Sequence, residues 1–332
     1  MEITQLGLTL KNSQVKAEND LLFDSIVAPM TVKNFTEDYF RKKPLVIKGG
    51  DNKFFDIMNW KLLSDLLNQS AIWSPHSLNL YSNTRAISAD EYSYPSVTRE
   101  GNEGRLINFD QVAKHVKNGS SLVLNDIETL NPGLKAVAHA IESTFLGKVQ
   151  ANLYCSRREN QALPVHFDTH DVFAIQVEGS KQWRVYGTSI QKPINHHFFK
   201  SIDQSFHEAN KGELSIDEEL TSGDFIYIPR GFYHEAMCHS DSTVHVSYSC
   251  VPVIGIDLLT AFFDVAVKDE LFRDAIPNQD EKSGKKLEEH MTRLVGRMRN
   301  NVLAPEFQEP FKDALKNYTF DRYSVKLPDD FI

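Results

Sequence analysis

The chain has 332 residues, of which 41% are hydrophobic and 24% charged, a balance that excludes a disordered polymer and allows one large or two ordinary domains. A net charge of −9 argues against a broad nucleic-acid-binding face and favours small molecules or protein segments as partners. The N-terminus carries scattered charges without the apolar core of a signal peptide, and no run approaches the roughly 18 apolar residues of a membrane span. Cys155, Cys238 and Cys250 form no CxxC pair, so reduced thiols in a cytoplasmic protein are expected rather than a disulfide framework or a thiolate zinc site.

In chain order, NFTEDYFRKKPLVIKGG from Asn34 predicts a short capped helix that stops before Pro44 and passes into an extended PLVIK stretch. NWKLLSDLLNQ from Asn59 pairs leucines at 62, 63, 66 and 67, which is helical spacing. Residues 70–120 read as polar and turn-rich, SLVLND from Ser121 as a buried strand, and NPGLKAVAHAIESTF from Asn131 as a helix opened near Pro132. From about 149 to 253 the pattern becomes short strands separated by Gly, Pro, Asp and Ser: VQANLYC, HDVFAIQV, KQWRVYG, FIYI, YHEAM and TVHVSYSCVPV. That predicts an all-β sandwich or barrel. The last 80 or so residues return to helix, with LLTAFFDVAV from Leu258 apolar nearly all round and KKLEEHMTRLVGRMRNNVL from Lys285 amphipathic.

In the segment VHFDTHDVF, strand alternation would put His166 and Asp168 on one face with Phe167 opposite. A histidine and a carboxylate so placed are two thirds of the 2-His-1-carboxylate triad that holds non-haem Fe(II) and leaves coordination positions open. The second histidine is expected in GDFIYIPRGFYHEAM, where the Pro229-x-Gly231-x-x-His234 turn can fix an imidazole at a strand end. Lys181 follows the Glu178-Gly179 turn and shares a face with Trp183 and Val185; facing inward, it would be a buried cation needing an anion. A bound carboxylate would serve. In the last strand Thr243, His245, Ser247 and Ser249 share a face, a polar row suited to a polar ligand. His170, His196, His197, His207 and His239 lack such context and read as surface or structural residues.

HFDTHDVFAIQVEGSKQWRVYG and GDFIYIPRGFYHEAM, with NFTEDYFRKKPLVIKGG, resemble the JmjC-type, cupin-fold 2-oxoglutarate oxygenases over roughly residues 30–255. The resemblance is strongest to the branch containing the ribosomal oxygenases. It implies a mainly β, α+β fold: a double-stranded β-helix (cupin or jelly-roll) core over 121–254, an N-terminal helix and strand region over 1–120, and a helical segment over 255–332 able to form a homodimer. It also implies that His166, Asp168 and His234 hold Fe(II) and that Lys181 binds the distal carboxylate of 2-oxoglutarate. Asn152 and Tyr154 would lie near the co-substrate, and either Ser247 or Ser249 would set a hydroxyl against it.

The implied activity uses Fe(II), 2-oxoglutarate and O2 to hydroxylate a side chain of a protein or peptide. Rival readings are an oxygenase acting on a small metabolite, a lysine demethylase, and a non-catalytic metal-binding cupin. Two departures from the branch bear on the substrate. The segment CSRRENQALPV is charged where a Pro-Gly-Ser-rich loop is usual, and the residues after the barrel give room for helices but hardly for an added winged-helix domain.

Overall fold

The computed structural model describes residues 23–97, 101, 103–157, 163–238, 240–277 and 284–320; His239 lies outside them. Contacts divide the chain into two compact units. The larger holds the described residues through Thr144 together with Lys148–Val251, and the smaller holds Phe145–Gly147 and the described residues from Pro252 onward.

In the larger unit a short helical stretch over 23–27 precedes α1 (Val32–Asp38), whose first turn is capped by the Thr31 hydroxyl accepting from the Asn34 amide. The helix therefore starts two residues before the Asn34 that the sequence suggests. Next come β1 (Leu45–Ile47) and α2 (Trp60–Leu67), the latter capped by the Asn59 side chain accepting from the Leu62 amide. Residues 70–120, expected to be turns, instead hold β2 (Leu78–Ser82), β3 (Arg85–Ala86), β4 (Ser93–Val97), β5 (Glu103–Ile107) and α3 (Phe109–Lys117). Several of these strands are half exposed, so they carry none of the apolar runs that mark a buried strand. After them stand β6 (Ser121–Leu124), α4 (Pro132–Phe145), β7 (Gly147–Arg157), β8 (Asp171–Glu178) and β9 (Ser180–Ser189). The short helices α5 (His197–Lys200) and α6 (Gln204–Asn210) lead to β10 (Leu214–Thr221), β11 (Phe225–Ile228), β12 (Phe232–Met237) and β13 (Ser242–Pro252).

Eight strands form one sheet in the order β1-β11-β8-β13-β7-β6-β2-β3, and a second sheet has the order β10-β9-β12; β4 and β5 make a separate hairpin. The named pairings of both sheets are antiparallel. The two sheets pack face to face through Val172, Ala174, Ile226 and Ile228 on one side and Trp183, Val185 and Leu220 on the other. This is the jelly-roll-like arrangement that the resemblance implies.

β8 is buried along almost its whole length because it is covered twice. Its other face sets Phe173 against Phe35 and Tyr227, with ring centroids 6.2 and 4.9 Å apart. The N-terminal arm thus closes the outside of the sheet, and β1 adds to its edge by pairing Leu45 with Tyr227. At the turn between β8 and β9, Gly179 has φ +65°, and a Cβ there would lie 2.1 Å from the Ser242 carbonyl oxygen. Only glycine fits.

The smaller unit is helical: α7 (Gly255–Ala266), α8 (Glu270–Arg273), α9 (Gly284–Leu303) and α10 (Pro305–Lys316). Its core joins Ala261, Phe262, Ala266 and Phe307, flanked by Met298, Val302 and Phe311. α7 and its C-cap residue Val267 keep Ile256, Leu259, Phe263 and Val267 exposed, at the spacing of a single helix stripe.

Candidate metal centre and co-substrate pocket

His166 and Asp168 do not lie on a regular strand. β8 begins only at Asp171, and His166 makes an isolated antiparallel bridge with His234. In that bridge the His166 amide donates to the His234 carbonyl at 3.1 Å and the His234 amide to the His166 carbonyl at 2.8 Å. Asp168 sits two residues on, just before the bend at Thr169 and His170, and its carbonyl accepts from the Gly231 amide at 2.8 Å. The two segments that carry the three side chains are therefore pinned to each other by backbone hydrogen bonds on both sides of the site.

The consequence is convergence. One ligand atom from each of His166, Asp168 and His234 lies within 4.8 Å of the others. His234 Nε2 is 3.5 Å from Asp168 Oδ2, and the two imidazole rings stand 4.5 Å apart. Neighbouring ligands of an octahedral ion with bonds of about 2.1 Å lie about 3 Å apart, so a small adjustment admits one ion.

Each imidazole is also held in the correct tautomer. His166 Nδ1 is 2.8 Å from the Pro164 carbonyl oxygen, and His234 Nδ1 is 3.0 Å from that of Phe232. A carbonyl only accepts, so Nδ1 carries a proton in both rings, and Nε2 is the nitrogen left to face a metal. Burial, joined by the charge of His166, pulls the His234 pKa down to about 4, so its imidazole is neutral at pH 7. Burial pushes the Asp168 carboxyl upward, but His170, His166 and His234 together outweigh it and hold the group below its ordinary value. Two imidazoles and one carboxylate are the donor set that suits Fe(II).

His170, read from sequence as peripheral, belongs beside this cluster: its Nε2 is 3.9 Å from Asp168 Oδ2. His207 instead packs edge-on against Phe167 and Tyr233, beneath the site.

A pocket of about 410 Å³, opening to solvent, adjoins the cluster and is lined by Tyr154, Leu163, His166, Lys181, Trp183, His234, Ala236, His245 and Ser247. Lys181 is 2% exposed, and among the described residues no carboxylate pairs with it. Its Nζ lies 5.9 Å from the Tyr154 ring centroid. Burial lowers its pKa to about 8, against a smaller opposing effect of Cys238 and Cys155. The three cysteines are free and buried.

His245 is the pocket residue that the sequence left within a polar row without a role. It stacks on Tyr154 with centroids 4.8 Å apart and planes 3° apart, and it meets Trp183 edge-on at 5.2 Å. Burial, helped by Lys181, pulls its pKa well below the ordinary histidine value, so it is neutral. Its Nδ1 and the Trp183 Nε1 are buried without a hydrogen-bond partner. One unpaired cation and two orphaned nitrogens in one pocket are the lining expected for an anionic, hydrogen-bonding ligand.

The other expected residues divide. Of the two serines, Ser247 lines the pocket, whereas Ser249 is turned away and donates to the Gln150 carbonyl at 3.3 Å. Thr243 is likewise engaged elsewhere, close to Gln176 Nε2 at 2.6 Å. Tyr154 is in the wall, but Asn152 is outside it, accepting from the Asp126 amide at 3.2 Å and hydrogen-bonding toward Tyr154. Asn152 thus supports the wall from behind.

Residues 125–254 match the JmjC domain family. The chain is 28% identical over 237 residues to the bifunctional lysine-specific demethylase and histidyl-hydroxylase NO66 of Dictyostelium discoideum, covering 70% of this chain and 43% of that protein. It is 24% identical over 331 residues to ribosomal oxygenase 1 of Danio rerio, covering 94% of this chain and 58% of that one. The similarity to the latter therefore continues past the barrel into the helical residues. Among solved structures, the ribosomal oxygenase YcfD of Escherichia coli in complex with cobalt and 2-oxoglutarate aligns with a TM-score of 0.58 at 22% identity, covering 86% of this chain and 71% of that one. That likeness establishes the fold.

Proposed function

We propose, from the premise that residues 125–254 are a JmjC domain, that this protein is an Fe(II)- and 2-oxoglutarate-dependent dioxygenase that hydroxylates a side chain of a protein or peptide. The observation that carries the reading is the closeness of the His166, Asp168 and His234 ligand atoms to a pocket whose cation, Lys181, has no counter-charge. His166, Asp168 and His234 would hold the metal, and Lys181 would bind the distal carboxylate of the co-substrate. His245 and Ser247 would add neutral hydrogen-bonding groups, and Tyr154 and Trp183 would shape the walls. Asn152 acts through Tyr154, and Ser249 is left outside the site.

When bound, the iron supplies the oxidative chemistry, in which O2 converts 2-oxoglutarate to succinate and CO2 while an unactivated C–H bond of the substrate becomes C–OH. The residues of this chain do the rest. The backbone-fixed imidazoles present Nε2 without reorganisation, and the aromatic wall of Tyr154 and Trp183 shields one side of the bound anion from water. The histidyl-hydroxylase activity in the name of the NO66 relatives makes a protein histidine the first substrate to test. The core of the activity is assigned to 121–254.

The exposed stripe of Ile256, Leu259, Phe263 and Val267 supports a homodimer formed through the helical unit. No described helix is long and apolar enough to cross a membrane, and a reduced, cytoplasmic setting fits the three free thiols. Incubation with Fe(II), 2-oxoglutarate and host proteome or peptide libraries is expected to yield succinate and products heavier by one oxygen atom. Both should vanish in a folded His166→Ala variant. Absence of succinate from the parent protein under every substrate condition would leave a metal-binding cupin instead.

A further inference from the structure

We propose that Asp171 is a positioning residue for the metal cluster, acting through the turn that delivers His234; this rests on the reading of His166, Asp168 and His234 as metal ligands. Asp171 lies three residues after Asp168 at the start of β8 and is fully buried. A carboxylate in such a place is costly unless it is fully hydrogen-bonded.

Its partners come from three separate segments. Oδ1 accepts from the Arg230 amide at 3.1 Å and from the Tyr227 hydroxyl at 3.2 Å, and Oδ2 accepts from Arg41 Nε at 3.4 Å. The Tyr227 oxygen in turn accepts from the Arg41 amide at 2.8 Å. The network therefore ties the N-terminal arm, β11 and the turn before β12 to one carboxylate.

The turn contact gives this network a role beyond stability. Arg230 and Gly231 are consecutive, and their two amides go to two acceptors on the segment that carries the other ligands. The Arg230 amide reaches the Asp171 carboxylate, and the Gly231 amide reaches the Asp168 carbonyl. The 166–171 segment thus grips the turn at adjacent peptides, three residues before His234, and the His166–His234 bridge closes the clamp on the far side. Loss of the carboxylate charge at 171 leaves one acceptor oxygen for three donors, the Arg230 amide, the Tyr227 hydroxyl and Arg41 Nε, so the grip on the turn loosens and the error passes along a short strand to the His234 imidazole. The HxDxxD spacing places the metal carboxylate and the clamping carboxylate in one short segment.

The test is Co(II) titration of the parent protein and the Asp171→Asn variant, followed by the visible absorption of the bound ion, with circular dichroism and thermal melting in parallel. Asparagine keeps the shape but sets an amide donor against the Arg41 guanidinium or the Tyr227 hydroxyl. The folded variant is expected to bind Co(II) about 10-fold more weakly or worse. A purely structural role predicts a lower melting temperature with Co(II) affinity within about twofold of the parent, and that result overturns the proposal. Should Asp171→Asn not fold, Tyr227→Phe keeps the buried ring while removing one donor to the same carboxylate oxygen. It is expected to weaken Co(II) binding by about threefold or more, and unchanged affinity overturns the proposal. A parent protein that binds no Co(II) removes the metal reading and this inference with it, whereas equal binding by parent and variant removes this inference alone.

Discussion

Replacing Lys181 with methionine should make the ligand-free protein more stable while removing its affinity for the co-substrate. The magnitude follows from the lysine's environment. The unfolded chain holds the lysine proton to about pH 10.5, while the buried amine holds it only to about 8. Between those values the unfolded state binds more protons, so stability rises with pH there, and the full penalty is present below pH 8. A difference of about 2.5 pH units, at about 1.36 kcal/mol each, amounts to about 3 kcal/mol at pH 7. Methionine fills similar space without charge, so Lys181→Met should recover most of it, raising the melting temperature by about 5 °C if the chain unfolds as one. The gain should fade as pH rises from 8 toward 10.5. Scanning calorimetry of the Co(II)-loaded proteins with and without 2-oxoglutarate provides the second arm. At 100 times its Kd, the co-substrate should stabilise the parent by about 2.7 kcal/mol and the variant by almost nothing. In the parent, 2-oxoglutarate affinity should be level below pH 8 and decline above it, because the free lysine must first take up a proton. A variant less stable than the parent without ligand, or one binding 2-oxoglutarate within about threefold of it, would refute the assignment.

Two further substitutions test the scaffold. Gly231 has φ +90°, and a Cβ there would sit 2.1 Å from the Ile190 carbonyl oxygen, so Gly231→Ala should cost about 1–3 kcal/mol in urea unfolding and weaken Co(II) binding by displacing the turn before His234. Full Co(II) affinity in that variant would show that the turn does not set the histidine. In the helical unit, Phe263 is 66% exposed on the apolar stripe, and Phe263→Glu should convert a dimer to a monomer in sedimentation without loss of helicity; a parent that is monomeric at micromolar concentration refutes the dimer.

The parts of this structure legible in the sequence are those where one physical cause dominates. Asn59 before a leucine repeat gives a capped helix, and FIYI between two turns gives a strand buried on both faces. β10 was not legible because its sequence, LSIDEELT, is mostly exposed and acidic; a charged edge strand lacks the apolar alternation that identifies a strand. The closeness of His166 to Asp168 was anticipated from strand alternation, but the chain achieves it through an isolated bridge and a bend. Spacing alone could not reveal that. The polar row of β13 failed as a row for two reasons: a register shift between Val244 and His245 sets Thr243 apart, against Gln176, and beyond it His245 and Ser247 line the pocket while Ser249, farther along the same register, donates to the Gln150 carbonyl. Lys181 was legible from alternation along β9, but the neutrality of His245 was not, since it depends on a lysine from another strand and on depth in the fold.

That neutrality matters for the charge balance of the proposed site. A ferrous ion contributes two positive charges, Asp168 one negative and Lys181 one positive, while His234 and His245 contribute none because burial keeps both deprotonated. The sum is two positive charges, which a dianionic co-substrate cancels. A charged His245 beside Lys181 would leave a surplus on two buried side chains, where an unpaired charge costs several kcal/mol. Stacking the imidazole on Tyr154 and against Trp183 avoids this by removing the water that would solvate its cation, while keeping a nitrogen available to hydrogen-bond the ligand. The aromatic wall therefore sets the charge of the pocket as well as its shape.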